Sequence, residues 1–281
     1  MFTYSVTQWI FGHEEMELSL RRLKKHGYDG VELAGEPKKI NIAATQAMLQ
    51  QYDLTCTSIC GIYTPERDLS SSKPDIRHNA IQYVKDCVDM AVQLGATVVI
   101  VVPTPVGKSG PDTTQQEEWA NAVASLKEAG TYAAEKNIHL SVEALNRYET
   151  YLVNKLDVAK QFVQQVDVKS VGIMADLFHM SIEERDHAAA LRSIAPHLMH
   201  VHIADNTREA AGYGQTDFTG VISTLLELGY TGNITMEFLP PVSNPYLVAH
   251  HGEAQASSIY DEYTKQSIDH IKAIVNSLQL K

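Results

Sequence analysis

An α/β chain folded as a single-domain (β/α)8 TIM barrel over residues 1–281 is the architecture this amino-acid pattern implies. Three observations carry that expectation. Short segments rich in β-branched and aromatic residues alternate without a break with longer stretches of helical apolar spacing. The short segments number eight, the count that closes a parallel sheet on itself. Several helix-to-strand junctions share one punctuation, a Gly or Asn just before the strand, as in KKHGYDG, VQLGAT, AEKNIH and LELGYTGN.

Along the chain the strand segments are TYSVTQ near residue 3, GVEL near 30, TCTSI near 55 and TVVIVV near 97. They continue with IHLSVE near 138, SVGIMA near 170, LMHVHI near 198 and NITMEF near 233. Helical spacing over about 14–26 carries Met16, Leu18, Leu20 and Leu23, and over about 76–94 it carries Ile81, Val84, Val88, Ala91 and Leu94. The rival architecture, a doubly wound open sheet, lacks its Gly-rich dinucleotide turn after the first strand. No Pro-, Gly- or Ser-rich linker divides the chain. The least regular stretches, 103–114 and 239–254, each follow a strand, where a barrel carries its functional loops.

An apolar fraction of 44% with 20% charged residues is ordinary for a globular protein. A net charge of −11 argues against a nucleic-acid partner, which needs a basic footprint, and suits a small neutral or cationic substrate or a divalent cation. Cys56, Cys60 and Cys87 are odd in number, and the first two lack the two-residue spacing of redox and zinc motifs, so they read as reduced, packed thiols. The N-terminal segment has no basic stretch followed by an apolar core, and the longest aliphatic run, Val98–Val102, is far short of a membrane span. A cytoplasmic protein without a membrane partner is expected.

Chemistry on a barrel sits at the C-terminal strand ends. Predicted strands five to eight end in Glu143, Asp176, His202 and Glu237. Side chains alternate along a strand, which tests the choice internally. Counting back from these four gives Ser141 and His139, Met174 and Gly172, His200, then Thr235 and Asn233. The opposite parity gives Leu140, Val142, Ile173, Ala175, Val201, Ile203, Ile234, Met236 and Phe238, an apolar set suited to packing under helices. The polar set therefore faces the barrel interior and its last members converge at one mouth. Three carboxylates and an imidazole suit a hard or borderline divalent cation such as Mn2+, Mg2+ or Co2+. The plainer alternative is that these groups cap helices or form ion pairs. His200 reads as a hydrogen-bonded interior histidine and Glu32, ending the second strand, as a structural carboxylate. Trp9 and His13 follow the first strand and either line a pocket or pack, and His250 and His251 lie in a polar loop.

The segment SVEALNRYETYLVN (141–154) resembles the signature of the ketose 3-epimerases, the D-tagatose and D-psicose 3-epimerase family of the xylose-isomerase-like barrels. The likeness continues in MADLFHMSIEE (174–184), HVHIADNTR (200–208) and TGNITMEF (231–238), and upstream in the stretch from SICGIYTPERD to VQLGA, covering about residues 28–240. The resemblance implies metal ligation by Glu143, Asp176, His202 and Glu237, with Mn2+ the first choice, and substrate contacts from Glu149, His179 and Arg208. It also implies a monosaccharide or keto-sugar substrate and a homo-oligomer, dimer or tetramer. Inverting carbon 3 of a ketose removes a proton beside a carbonyl, so it calls for a Lewis acid and two acid/base groups, which the resemblance assigns to Glu143 and Glu237. An aldose–ketose isomerase or an inosose dehydratase-type lyase would use the same site.

Two stretches depart from the family. VVPTPVGKSG after strand four replaces a Gly- and aromatic-rich stretch, and ADNTREAAGYG after His202 replaces a Gly-Glu-Ser-Asn-Arg-like run. The ligands survive both changes, so chemistry is better specified than substrate. A keto-sugar acid, a keto-inositol or a 3-keto-glycoside joins the free ketose as an admissible substrate.

Overall fold

A computed structural model describes residues 2–12, 14–240 and 254–279, with side chains from 258 onward in the last segment. Eight parallel strands close into a barrel in chain order. They are β1 (Thr3–Thr7), β2 (Gly30–Gly35), β3 (Thr55–Gly61), β4 (Val98–Val101), β5 (His139–Glu143), β6 (Val171–Asp176), β7 (Leu198–Ile203) and β8 (Asn233–Met236). All eight fall on the segments expected from the sequence. The surrounding helices are α1 (Met16–Lys25), α2 (Ile42–Gln51), α3 (Pro74–Leu94), α4 (Gln115–Glu135), α5 (Leu156–Val166), α6 (Leu177–Glu183), α7 (His187–Ile194), α8 (Phe218–Glu227) and α9 (Ala254–Gln279). His13, His250 and His251 lie outside the described residues.

Local chemistry sets the helix ends. Asn41 Oδ1 accepts from Ala44 N at 3.1 Å to start α2, and Thr114 Oγ1 accepts from Glu117 N at 3.2 Å to start α4. Pro74 opens α3, and Gly95 closes it at φ 75°, a left-handed cap that disfavours a side chain.

The two parities of the strands separate as expected. Leu140, Val142, Ile173, Ala175, Val201, Ile203, Ile234 and Met236 join one large apolar core between sheet and helices. Inside the barrel, Ser5, Thr7, Glu32, Ser58, Ser141, His200 and Thr235 are all fully buried. A small apolar group of Cys60, Ile100 and Met174 completes that interior. Polar groups held in so dry a space need partners, and hydrogen bonds running Ser5–Thr235–His200–Glu32–Ser58 make a polar column through the interior. The three cysteines are free and buried, and burial pushes the thiols of Cys56 and Cys87 up to about 12, which leaves them unreactive. Among the described residues no helix is long and apolar enough to cross a membrane.

Candidate active site

Glu143 and Asp176 are the last residues of β5 and β6, and His202 is the penultimate residue of β7. Glu237 follows β8 directly, and its N–H donates to Ile203 O at 2.9 Å, extending the ladder by one rung. Register sets Asp176 beside His202 on neighbouring strands. The structure brings the four together: each offers a ligand atom, and these atoms all lie within 4.8 Å of one another in a buried cluster.

The cluster is electrostatically unbalanced. Burial works against the charge of Glu237, but Arg208 and His202 prevail and hold its carboxyl down to about 2. Glu143 moves the other way: burial and repulsion from Glu237 and Asp176 push it well above the carboxylate range. His202 rises well above its ordinary value, because Glu32 and Glu237 outweigh its burial. Asp176 divides its oxygens. Oδ1 accepts from Phe178 N at 2.7 Å and His179 N at 3.2 Å to cap α6, while Oδ2, buried in the cluster, has no hydrogen bond. The capping role weighed from the sequence and a ligand role thus fall on different atoms of one side chain.

These residues fit a divalent cation. The donor set is three carboxylate oxygens and an imidazole nitrogen, one of those oxygens has no hydrogen bond among the described residues, and a positive charge here would relieve the repulsion at Glu143.

The three residues expected to touch substrate surround this cluster. Asn146 Nδ2 donates to His179 Nδ1 at 2.8 Å and to Glu149 Oε1 at 2.9 Å, and Asn146 N also donates to His179 Nδ1 at 3.2 Å. With Nδ1 accepting, the proton of His179 sits on Nε2, which lies 3.8 Å from Glu143 Oε1 and 4.0 Å from Asp176 Oδ2. Burial holds His179 down to about 4, so it is a neutral donor at physiological pH. Arg208 Nη2 donates to Glu237 Oε2 at 2.8 Å and Nη1 lies 3.5 Å from Asp176 Oδ2, with the guanidinium 4.4 Å over the Phe178 ring. Arg208 is held at φ 67°, a strained backbone for a residue with a side chain, of the kind that persists where surrounding structure fixes a functional group.

Other members had weaker signals. Trp9 does both things weighed for it: its Nε1 donates to Glu237 Oε1 at 2.9 Å and its ring packs against the apolar residues beneath. Glu32, read as structural, contacts His202 directly at 3.1 Å. Asn146 stood in the 141–154 motif but carried no role there. A cavity of about 200 Å3 opens onto the cluster between Trp9, Cys60, Tyr63, Val102, Val106, Leu145, Glu149, His179 and Arg208. Two larger clefts, each about 540 Å3, lie beside α6–α8 and at the opposite end of the barrel, and neither holds members of the quartet.

Comparison with known proteins agrees with the barrel fold. The family model described as xylose isomerase-like TIM barrel matches residues 20–274. The chain is 31% identical over 224 residues to L-ribulose 3-epimerase of Methylomonas sp. (strain DH-1), covering 79% of this chain and 78% of that one. It is 30% identical over 234 residues to 3-dehydro-D-guloside 4-epimerase of Escherichia coli (strain K12), covering 81% and 88%. A solved structure of D-allulose 3-epimerase from Methylomonas sp. with D-allulose superposes with a TM-score of 0.86 at 26% identity, covering 97% of this chain and 96% of that one.

Proposed function

This chain belongs to the xylose isomerase-like TIM barrel family, together with the ketose 3-epimerases, and from that premise we propose that it inverts carbon 3 of a free ketose or related keto sugar. The observation that carries this reading is the pairing of Glu143 and Glu237, two glutamates held in opposite fields at one mouth beside a neutral histidine donor. In this reading Glu143, Asp176, His202 and Glu237 hold a divalent cation, Mn2+ by family resemblance. When bound, the cation acts as a Lewis acid toward the carbonyl at carbon 2 and makes the neighbouring C–H more acidic.

The residues of the chain then divide the work. One glutamate takes the carbon 3 proton as a general base, and the electron pair moves onto the carbon 2 oxygen, giving an enediolate. His179 Nε2–H and Arg208 face the site and donate to the oxygen that gains charge. The second glutamate delivers a proton to the opposite face of carbon 3, so one carboxyl gains a proton and the other loses one per turnover. Which of the two begins as base depends on the epimer bound. Glu149, tied through Asn146 to His179, holds a hydroxyl further along the sugar.

Reprotonation from an enzyme group that exchanges with water makes the reaction readable in D2O. Incubation of ketoses with the Mn2+-loaded enzyme is expected to place deuterium at carbon 3, observed by NMR. Deuterium at carbon 1 instead identifies an aldose–ketose isomerase, and loss of water identifies a dehydratase. The 4-epimerase relative makes 3-keto-glycosides part of the substrate panel, where deuterium at carbon 4 marks the same chemistry one bond along. A homo-oligomer belongs to this reading as well, and sedimentation analysis tests it.

A further inference from the structure

Below the quartet, His202 touches a second carboxylate. Glu32 on β2 is fully buried in the barrel interior, where an ion is costly unless every lone pair is used. Its Oε2 accepts from Ser58 Oγ at 2.6 Å and lies 2.9 Å from His200 Nε2 and 3.2 Å from His202 Nε2; Oε1 lies 3.1 Å from the same His202 nitrogen. The other ring nitrogen, His202 Nδ1, faces Glu237 Oε2 at 3.1 Å and Asp176 Oδ2 at 3.8 Å. The ring is therefore strung between acidic groups of different standing: Glu237 and Asp176 of the quartet on the Nδ1 side, and a buried carboxylate shared with a second histidine on the Nε2 side.

The backbone is bent to make this arrangement. Among the described residues the barrel register slips twice. One slip falls at Val31/Glu32 against β3, so that Glu32 pairs with Ser58 and Thr57 is the extra residue; the other falls at Ile173/Met174 against β7, so that Met174 pairs with His200 and Met199 is the extra residue. Bulges re-aim side chains beside functional sites. Here the extra residues lie on β3 and β7, so they turn Ser58 inward toward Glu32 on one side, and His200 and His202 inward on the other.

We infer that Glu32 is a positioning residue: it accepts the Nε2 proton of His202, fixing the tautomer in which Nδ1 presents a bare lone pair to the cation. A carboxylate behind an imidazole also makes that lone pair a stronger ligand. His200 and Ser58 hold Glu32 in place rather than contacting the ion. The inference rests on reading the quartet as a metal site.

Two measurements test it. Free Mn2+ is followed by EPR as MnCl2 is added to the wild-type protein and to Glu32→Gln; the wild type is expected to bind one ion per chain, and the variant to bind it about ten- to a hundredfold more weakly. Nitrogen-15 NMR of histidine-labelled wild-type protein loaded with Mg2+ is expected to show His202 protonated at Nε2, a readout that a merely structural carboxylate does not move and that needs no variant to fold. Equal Mn2+ affinity in Glu32→Gln, or a His202 protonated at Nδ1 in the loaded protein, overturns the inference while leaving the quartet as the metal site. Two Mn2+ ions per wild-type chain, one of them lost in Glu32→Gln, makes Glu32 a ligand and overturns it too. A wild-type protein that binds no divalent ion removes the reading of the quartet and this inference with it.

Discussion

Arg208 Nη2 and Trp9 Nε1 donate to Glu237 at 2.8 and 2.9 Å, whereas among the described residues the nearest ring donor to Glu143, His179 Nε2, stands 3.8 Å away, and Glu143 faces Glu237 and Asp176 in a buried setting. Two glutamates whose environments push them apart are suited to opposite proton duties in one turnover. Replacing either by Gln keeps its shape and an oxygen ligand but removes its proton chemistry. Glu143→Gln and Glu237→Gln are each expected to lower kcat/KM roughly 10²- to 10⁴-fold; a variant that keeps full turnover with Mn2+ bound ends the two-base scheme. Asn146 acts one step away, by donating to His179 Nδ1 and so keeping the ring proton on Nε2. Asn146→Ala removes one of the two donors to Nδ1, leaving the backbone N–H of residue 146 at 3.2 Å, and is expected to lower kcat up to about tenfold, the rate equivalent of one hydrogen bond of about 1.4 kcal/mol, with KM changing less. Little of this second circle was legible in the sequence. Strand parity is local and could be counted, which is why Glu143, Asp176, His202 and Glu237 were found together. Trp9 meets Glu237 across 228 residues of sequence and His202 meets Glu32 across 170, distances over which no periodicity speaks.

The loop after β4 is one of the two stretches that depart from the family pattern, and the fold shows what its own sequence does instead. Lys108 Nζ lies 2.6 Å from Glu118 on α4 and 2.8 Å from Asp68 after β3, and the Tyr151 hydroxyl donates to the same Glu118. The neighbouring Gly107 N donates to Glu149 O at 2.7 Å. One half-buried cation thus ties three strand-end loops together and sets Val106 as a wall of the cavity. Lys108→Met leaves the side chains of Asp68 and Glu118, 5% and 0% exposed, without their cation, a change expected to cost roughly 3–5 kcal/mol in chemical denaturation and to raise KM more than it lowers kcat. The contribution has a defined pH window. Burial opposes the charge of Lys108, but Asp68 and Glu118 raise it above its ordinary 10.5, so its stabilisation is present below that value and is lost as pH rises through the higher folded value. Glu118 is buried yet lowered below its ordinary 4.5 by Lys108 and Tyr151, so its share is present above that value and is lost as pH falls through the lower folded one. The stability gap between wild type and variant is expected to be flat from about pH 5 to 10 and to narrow on either side; a gap that stays constant down to the acid limit would mean that the bridge carries none of it. The loop after β7 is built differently, on Asp205 and Asn206: Asp205 Oδ1 and Oδ2 accept from Thr216 N and Gly212 N, and Asn206 Oδ1 accepts from Gln215 N. A Cβ at Gly214 would stand 2.2 Å from Asn206 Oδ1, so Gly214→Ala is expected to loosen the segment that carries Arg208 and to raise KM.

Across the whole molecule the closed barrel and its eight strand positions were legible because period-two alternation and helix-end glycines are local signals, and the loops were not, because their partners come from other strand ends. What the complete fold adds is a charge problem. The chain carries a net −11, and its barrel drives three carboxylates of the quartet and Glu32 into a dry interior whose cations, among the described residues, are Arg208 and His202. A further positive charge at the quartet would stabilise such an arrangement, and an ion that binds the folded protein alone adds its binding free energy to stability. Chelation with EDTA is therefore expected to abolish activity and lower Tm, and Mn2+ added at a hundred times its Kd to restore about 2.7 kcal/mol, a rise of roughly 5–10 °C for a chain of this size. Asp176→Asn, which keeps an oxygen to cap α6 but removes the charge of the oxygen facing the cluster, is expected to lose most of that rise in scanning calorimetry. If Tm of the chelated wild-type protein does not respond to Mn2+, Mg2+ or Co2+, the quartet is an ion-pair cluster stabilised by Arg208 and a protonated His202, and its carboxylates serve the fold alone.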